Sequence, residues 1–357
     1  MKPIDGNAIV YCQGAYNTPN GKTAHGLVRF TRRYEVISVI DERYAGSDAG
    51  MILDGRENGI PIMSSVDSAL EHVKRSGKAA THFVMGLAPD GGRLNERNRA
   101  DIMHAVSCGL NIDCGLHDFL NDDPIISAQA REFGVTIRDI RKPPDRKDLH
   151  FFSGEIESVT SMRVAVLGTD SAVGKRTTAW KLVNGLQERG IDTTMIGTGQ
   201  TAWLQGAEYG IVLDSLVNDF VSGEIEYAVV RAWRERRPRA MVLEGQGSLL
   251  NPAYPGGFEL IAAGRPHCIV LQHAPGREEY DGFPGYPIHP LARQIAAVEL
   301  IADKPVVAIT LNHEGLKAAE IESERKRIRS ETNLPVVDPL THLMDDVIDA
   351  VLPFLKI

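Results

Sequence analysis

Long hydrophobic runs are missing from this 357-residue chain. None approaches the ~18 apolar residues that a helix needs to cross a bilayer, which excludes a helical membrane protein. Positive charge is in short supply too. Thirty-nine Lys+Arg face 47 Asp+Glu, a net charge of −8, and neither half of the chain is basic. Binding of DNA or RNA rests on a basic face, so nucleic acid is excluded as the main partner. Cysteine is scarce, with four residues at Cys12, Cys108, Cys114 and Cys268. None forms a C-x-x-C pair, so neither a zinc knuckle nor a dithiol redox centre is indicated, and no metal ligand set is assigned. Reduced thiols packed inside a cytoplasmic protein are the expectation. The opening MKPIDGNAIVYCQG has no long apolar core and carries Pro3 and Asp5, so no signal peptide is expected there. Short repeats and low-complexity tracts are absent as well.

What is present is the ordinary balance of a globular enzyme, 43% hydrophobic and 24% charged residues, long enough for two domains. In the first part NAIVYC, YEVISVID, ATHFVMGLAP, NIDCGL and VTIRDIRKP read as strands, with helical patterning over 65–76 and 95–107. In the second part MRVAVLG, IDTTMIG, RAMVLEG, HCIVLQH, PVVAITLN and LPVVD read as strands. Helices are expected there over 175–189, 214–236, 289–302, 315–330 and 345–355. Such alternation is the pattern of parallel sheets wrapped by helices. Between the parts lies RKPPDRKDLHFFSGEIESVTS, charged and Pro-Pro-bearing, a linker or an embracing arm. The expectation is two α/β domains, 1–145 and 163–357, joined by a linker over 146–162.

The most informative stretch is RVAVLGTDSAVGKRTT, an apolar strand running into a glycine turn and then a helix. A polyphosphate needs a ring of backbone N–H groups, a lysine and a helix N-terminus aimed at it. Gly168, Asp170, Ser171, Ala172, Val173, Gly174, Lys175, Arg176, Thr177 and Thr178 supply that pattern. Two departures from G-x-x-x-x-G-K-[ST] stand out. Gly168 lies six positions before Gly174, and Arg176 takes the place of the metal-binding hydroxyl. A hydroxyl shifted by one helical position, as at Thr177, points about 100° away, which weakens a magnesium-nucleotide reading.

RAMVLEGQGSL ends a second strand in Glu244, with Gln246 between glycines, where ligands of such sheets gather. Glu244 is a candidate to hold a metal, orient water or act as a base. GLAPDGG ends a strand of the first part in another glycine-rich loop. Gly21-Lys22-Thr23 imitates a phosphate loop, but Gly14 stands seven positions earlier, Pro19 interrupts it, and no helix is clearly opened at Lys22. The richest cluster is LQHAPGREEYDGFPGYPIHPL, residues 271–291. Within it Arg277 is suited to clamp a carboxylate, with Tyr280 and Tyr286 beside the substrate. Asp281 and His289 are candidate general bases.

GTDSAVGK resembles the phosphate loop of the dethiobiotin-synthetase-like branch of P-loop proteins, which shares its six-position glycine interval. The chain as a whole is similar to a narrower family, long labelled a domain of unknown function. That resemblance rests on GLAPDGG, GTDSAVGKRTT, GIVLDSLVNDFVSGEIE, EGQGSL and HAPGREEYDGFPGYPIHPL, spread over most of the chain. It implies a Rossmann-like N-terminal domain and a P-loop NTPase-like C-terminal domain with a doubly wound, mostly parallel sheet. It also implies an N-acetyltransferase of D-amino-acid catabolism, moving acetyl from acetyl-CoA to the amine of D-glutamate. Acetyl-CoA would be the co-substrate held by the phosphate loop, and the partner a small acidic amino acid; a homo-oligomer is compatible with such an enzyme. Two other readings stay open. One is an ATP-dependent ligase or kinase, with Lys175, Thr177, Asp214 and Glu244 handling Mg-ATP. The other is a nucleotide-regulated switch protein without catalysis.

Overall fold

The computed structural model describes residues 4–355, and the chain divides into two compact units. One unit takes the chain up to Pro143 together with Gln200–Gly206; the other takes Pro144–Gly199 and the chain from Ala207 on. In the first unit six strands form one parallel sheet: β1 (Gly6–Tyr11), β2 (Tyr34–Ile40), β3 (Ile62–Met63), β4 (His82–Met85), β5 (Asn111–Cys114) and β6 (Ile137–Asp139). Their order is β3-β2-β1-β4-β5-β6. Helices cover both faces, so the central strands are apolar without alternation, and Ala8, Ile9, Val10 and Tyr11 are all buried. The strand order reverses between β1 and β4, the place where such sheets take ligands.

Several helices of this unit start where side chains satisfy free N–H groups. Ser65 accepts from the Ser68 amide ahead of Val66–Arg75, and Asn95 accepts from Asn98 ahead of Glu96–Ser107. Asp123 accepts from Ile125 and Ile126, with Pro124 in the first turn. One sequence expectation needs correcting here. A helix, Lys22–Arg29, does open at Lys22, behind a single 3-10 turn at Pro19–Gly21. Proline is accommodated in that turn because a helix start has no use for its missing N–H. Cys12 and Cys114 are buried, but Cys108 is exposed, contrary to the expectation of packed thiols.

The second unit carries seven parallel strands: β7 (Met162–Gly168), β8 (Thr193–Gly197), β9 (Tyr209–Gly210), β10 (Ala240–Glu244), β11 (Cys268–His273), β12 (Val306–Leu311) and β13 (Val336–Val337). Their order is β13-β12-β11-β7-β10-β8-β9, with β7 central between β11 and β10. Every residue of β7 is buried. The helix expected from residue 214 begins later, as Asn218–Arg236, because Asp214 sits in a 3-10 turn and Leu216 and Val217 are extended.

The segment expected as a linker is anchored to its own unit. Glu224, almost buried, accepts from the His150 amide at 2.7 Å and ring at 2.8 Å. Glu226 accepts from the amides of Ser153 and Ile156. The His150 ring stacks on Tyr227 with centroids 3.7 Å apart. Gly223 lets this arm approach, since a Cβ there would lie 1.9 Å from the His150 carbonyl oxygen. Gly223→Ala should therefore lower the stability of this unit by about 1–3 kcal/mol in urea unfolding. Gly185→Ala, whose methyl meets only the far end of Ile348, should cost less in the same measurement.

Candidate functional site

The loop between β7 and the helix Lys175–Glu188 wraps around one buried ammonium. Gly174 has φ +102°, in the left-handed region that favours glycine, and turns the chain into the helix. Gly168 leaves room for the lysine to lie back, since a Cβ there would come within 3.0 Å of Nζ. Lys175 Nζ donates to the carbonyl oxygens of Asp170 and Gly247, each at 2.7 Å. Burial, the largest cause, lowers its pKa to about 8, with the charges of Asp170 and Glu244 opposing the shift.

A buried carboxylate holds the neighbouring loops in place. Asp170 is fully buried and accepts from the Ser171 amide at 2.7 Å and from Asn251 Nδ2 at 2.8 Å through Oδ1. Its Oδ2 accepts from Arg277 Nη1 at 3.0 Å and from the Asp281 amide at 2.9 Å. Arg277, expected to await a substrate carboxylate, also reaches the Ser171 carbonyl at 2.9 Å and Glu314 at 2.7 Å. Asp281 accepts from the Ser171 hydroxyl at 3.0 Å. Arg277 and Asp281 thus come to the phosphate loop, and both line a cavity of about 520 Å³ with Tyr280 and Phe283. His289 is paired at 3.0 Å with the hydroxyl of Tyr280, which is buried, while Tyr286 lies exposed.

Glu244 is buried at the end of β10, where burial raises its pKa against the pull of Arg176 and the Thr198 amide. That amide donates to it at 2.9 Å, and Gln246 donates to the Thr198 carbonyl at 2.8 Å. The Thr178 hydroxyl is turned inward onto Gln272, which also accepts from Thr310 at 2.6 Å. Thr177 is half-buried on the same helix. His273 bonds the Thr169 hydroxyl at 3.0 Å, and burial pushes its pKa down to about 4, so the ring is neutral at neutral pH. Asn251, Thr198, Ser248 and Glu314 escaped sequence reasoning, being single polar residues in loops that folding alone brings together. The Ser248 hydroxyl is buried with no hydrogen-bond partner among the described residues, one position beyond the carbonyl that receives Lys175. Such an orphan next to a cationic cradle fits a ligand oxygen.

The depressed lysine pKa has a consequence for stability. Between about pH 8 and the ordinary lysine value of 10.5, the unfolded chain holds a proton that folded Lys175 has released. Stability contributed by this group therefore rises with pH across that window. Lys175→Met should remove the rise, and the two unfolding profiles should diverge by up to about 1.4 kcal/mol per pH unit.

Comparison with known proteins agrees with this architecture. A family described as a domain of unknown function (DUF1611_C), P-loop domain, matches residues 150–348. Its companion, DUF1611_N, Rossmann-like domain, matches residues 42–143. A D-glutamate N-acetyltransferase of Tritonibacter scottomollicae is 31% identical over 80% of this chain and 84% of its own length. One from Pseudoalteromonas sp. is 29% identical over 82% of this chain and 87% of its own. The crystal structure of a DUF1611 family protein from Anabaena variabilis superposes with a TM-score of 0.88 at 30% identity, covering 97% of this chain and 99% of that one. The expected pairing of a Rossmann-like with a P-loop domain is borne out, and the chain belongs to the DUF1611 family.

Proposed function

We propose that this protein is an acyltransferase that moves the acetyl group of acetyl-CoA to the α-amine of D-glutamate. Two curated relatives are named D-glutamate N-acetyltransferase, which supports the reading. The observation that carries the reading is the make-up of the phosphate loop. Where a nucleotide-hydrolysing loop keeps a hydroxyl for magnesium, this one has Arg176, whose charge acts on Glu244, and the nearby Thr178 hydroxyl is committed to Gln272. Fixed cations in place of a metal site suit the phosphates of coenzyme A, and the buried, unpartnered Ser248 hydroxyl follows directly on the carbonyl that receives Lys175.

Acetyl-CoA supplies the acyl group as a thioester. Lys175, Arg176 and the amides of residues 171–176 hold its phosphates. Arg277 keeps one edge on buried Asp170, and its other edge, now on exposed Glu314, exchanges that partner for a substrate carboxylate. The attacking amine must be neutral, so a base takes its proton. His289 is the better placed of the two candidates, because the Tyr280 hydroxyl on Nδ1 fixes the ring and leaves Nε2 for the substrate. Asp281, in contact with Ser171, orients the amine. The donated proton leaves with the coenzyme A thiol.

Calorimetry with acetyl-CoA and with Mg-ATP in parallel tests the donor, and thiol release with D-Glu, L-Glu and D-Asp tests the acceptor. Acetyl-CoA binding without added magnesium and fastest thiol release with D-Glu are expected. Tight Mg-ATP binding with no acetyl-CoA signal sinks the proposal in favour of a ligase or kinase. The roles separate in the kinetics. Lys175→Ala should raise KM for acetyl-CoA at least tenfold, whereas His289→Gln should lower kcat by about 10²–10⁴-fold with that KM little changed.

A further inference from the structure

The Rossmann-like unit holds a donor cluster that the proposed acetyl transfer does not use. His104 and Cys108 stand one helical turn apart at the end of the helix Glu96–Ser107, so their side chains leave from the same face. Asp67 lies in the first turn of the neighbouring helix Val66–Arg75, which packs against it. His104 Nε2 is 2.7 Å from Asp67 Oδ1 and 3.9 Å from Cys108 Sγ. All three donor atoms lie within 4.8 Å of one another. Imidazole, thiol and carboxylate thus converge on one point from two helices, although no cysteine pair in the sequence pointed there.

We propose that Asp67, His104 and Cys108 form a binding site for a zinc-class divalent ion, with water in the fourth position. A tetrahedral ion at about 2.0 Å from N and O and about 2.3 Å from S needs donors roughly 3.3–3.5 Å apart. Opening the short His–Asp contact and drawing in the thiol changes the donor separations by at most about 1.3 Å, from the 4.8 Å bound to about 3.5 Å. Such shifts are cheap here, because the side chains of His104 and Asp67 are 44% and 76% exposed. Sulfur and nitrogen donors select against magnesium and calcium, which take oxygen. Binding breaks the S–H bond of Cys108, forms the metal–sulfur bond and releases one proton to solvent. Two anionic ligands then balance the dication. The ion ties two helices that cover the same sheet, which makes the site a clamp.

Cobalt(II) is the probe, added to the full-length, reduced and metal-stripped protein. Thiolate-to-cobalt charge transfer in the near ultraviolet should appear, saturate at one equivalent and vanish when zinc displaces the cobalt. Cys108→Ser should abolish the band, while His104→Gln and Asp67→Asn should weaken cobalt binding at least tenfold. Circular dichroism checks that each variant is folded, as expected for exposed positions. Absence of the band in the wild-type protein, its survival in Cys108→Ser, or unchanged affinity in both other variants overturns the proposal. None of these readouts depends on acetyltransferase activity.

Discussion

The second unit is organised around a single carboxylate removed from water. A buried charge without partners is costly enough to reshape its surroundings, and Asp170 escapes that cost by collecting four donors. Those donors come from three stretches of chain: the phosphate loop itself, the glycine-rich turn after β10, and the long loop after β11. Each stretch is a loop outside regular structure, and those after β10 and β11 are rich in glycine and proline. Bound to one anion, they become a single surface, and the position of any one fixes the others. Arg277 is the exposed edge of this arrangement, buried on the side of Asp170 and open on the side of Glu314.

Lys175 answers to the same low-dielectric environment from the opposite sign. Its contacts are to carbonyl oxygens, which neutralise no charge, so burial drives its pKa down. Under the proposed function, an arriving phosphate would reverse that balance by supplying a negative partner, and the ammonium would be worth more than it is in the free protein. The net charge of −8 is compatible with the proposed anionic co-substrate on that ground. Attraction at this site is produced by a few enclosed groups where screening by solvent is weak.

The central strands were legible because both faces of a parallel sheet are buried, which writes continuous apolar runs such as those of β7 and β11 into the sequence. The two-residue strands β3 and β9 escaped, being too short to carry any pattern. The helix at Lys22 was hidden by Pro19 and Gly21, residues that signal turns unless the helix start is known. In the candidate site, Lys175 and Arg176 followed from spacing along one segment. The role of Asp170 did not, because its partners stand at 171, 251, 277 and 281, and only the folded sheet brings those positions together. Arg277 read as a free cation for the same reason. Exposure of Cys108 followed from its place just past the end of a helix, a boundary that composition does not mark.

The short helix Gln200–Leu204 belongs to the first unit although the phosphate loop precedes it in the chain. Leu204 is fully buried in that unit's core, Thr201 bonds Thr23 at 2.9 Å, and Trp203 lies under the Arg33 guanidinium. During synthesis, therefore, the first 143 residues emerge from the ribosome before their own core is complete. They must wait for some sixty further residues to arrive, and the strand and helix that flank the phosphate loop are made in the interval. Completion of the Rossmann-like core is thus tied to synthesis of the strand and helix around the other unit's phosphate loop, so the first half of this protein is not finished as an independent module.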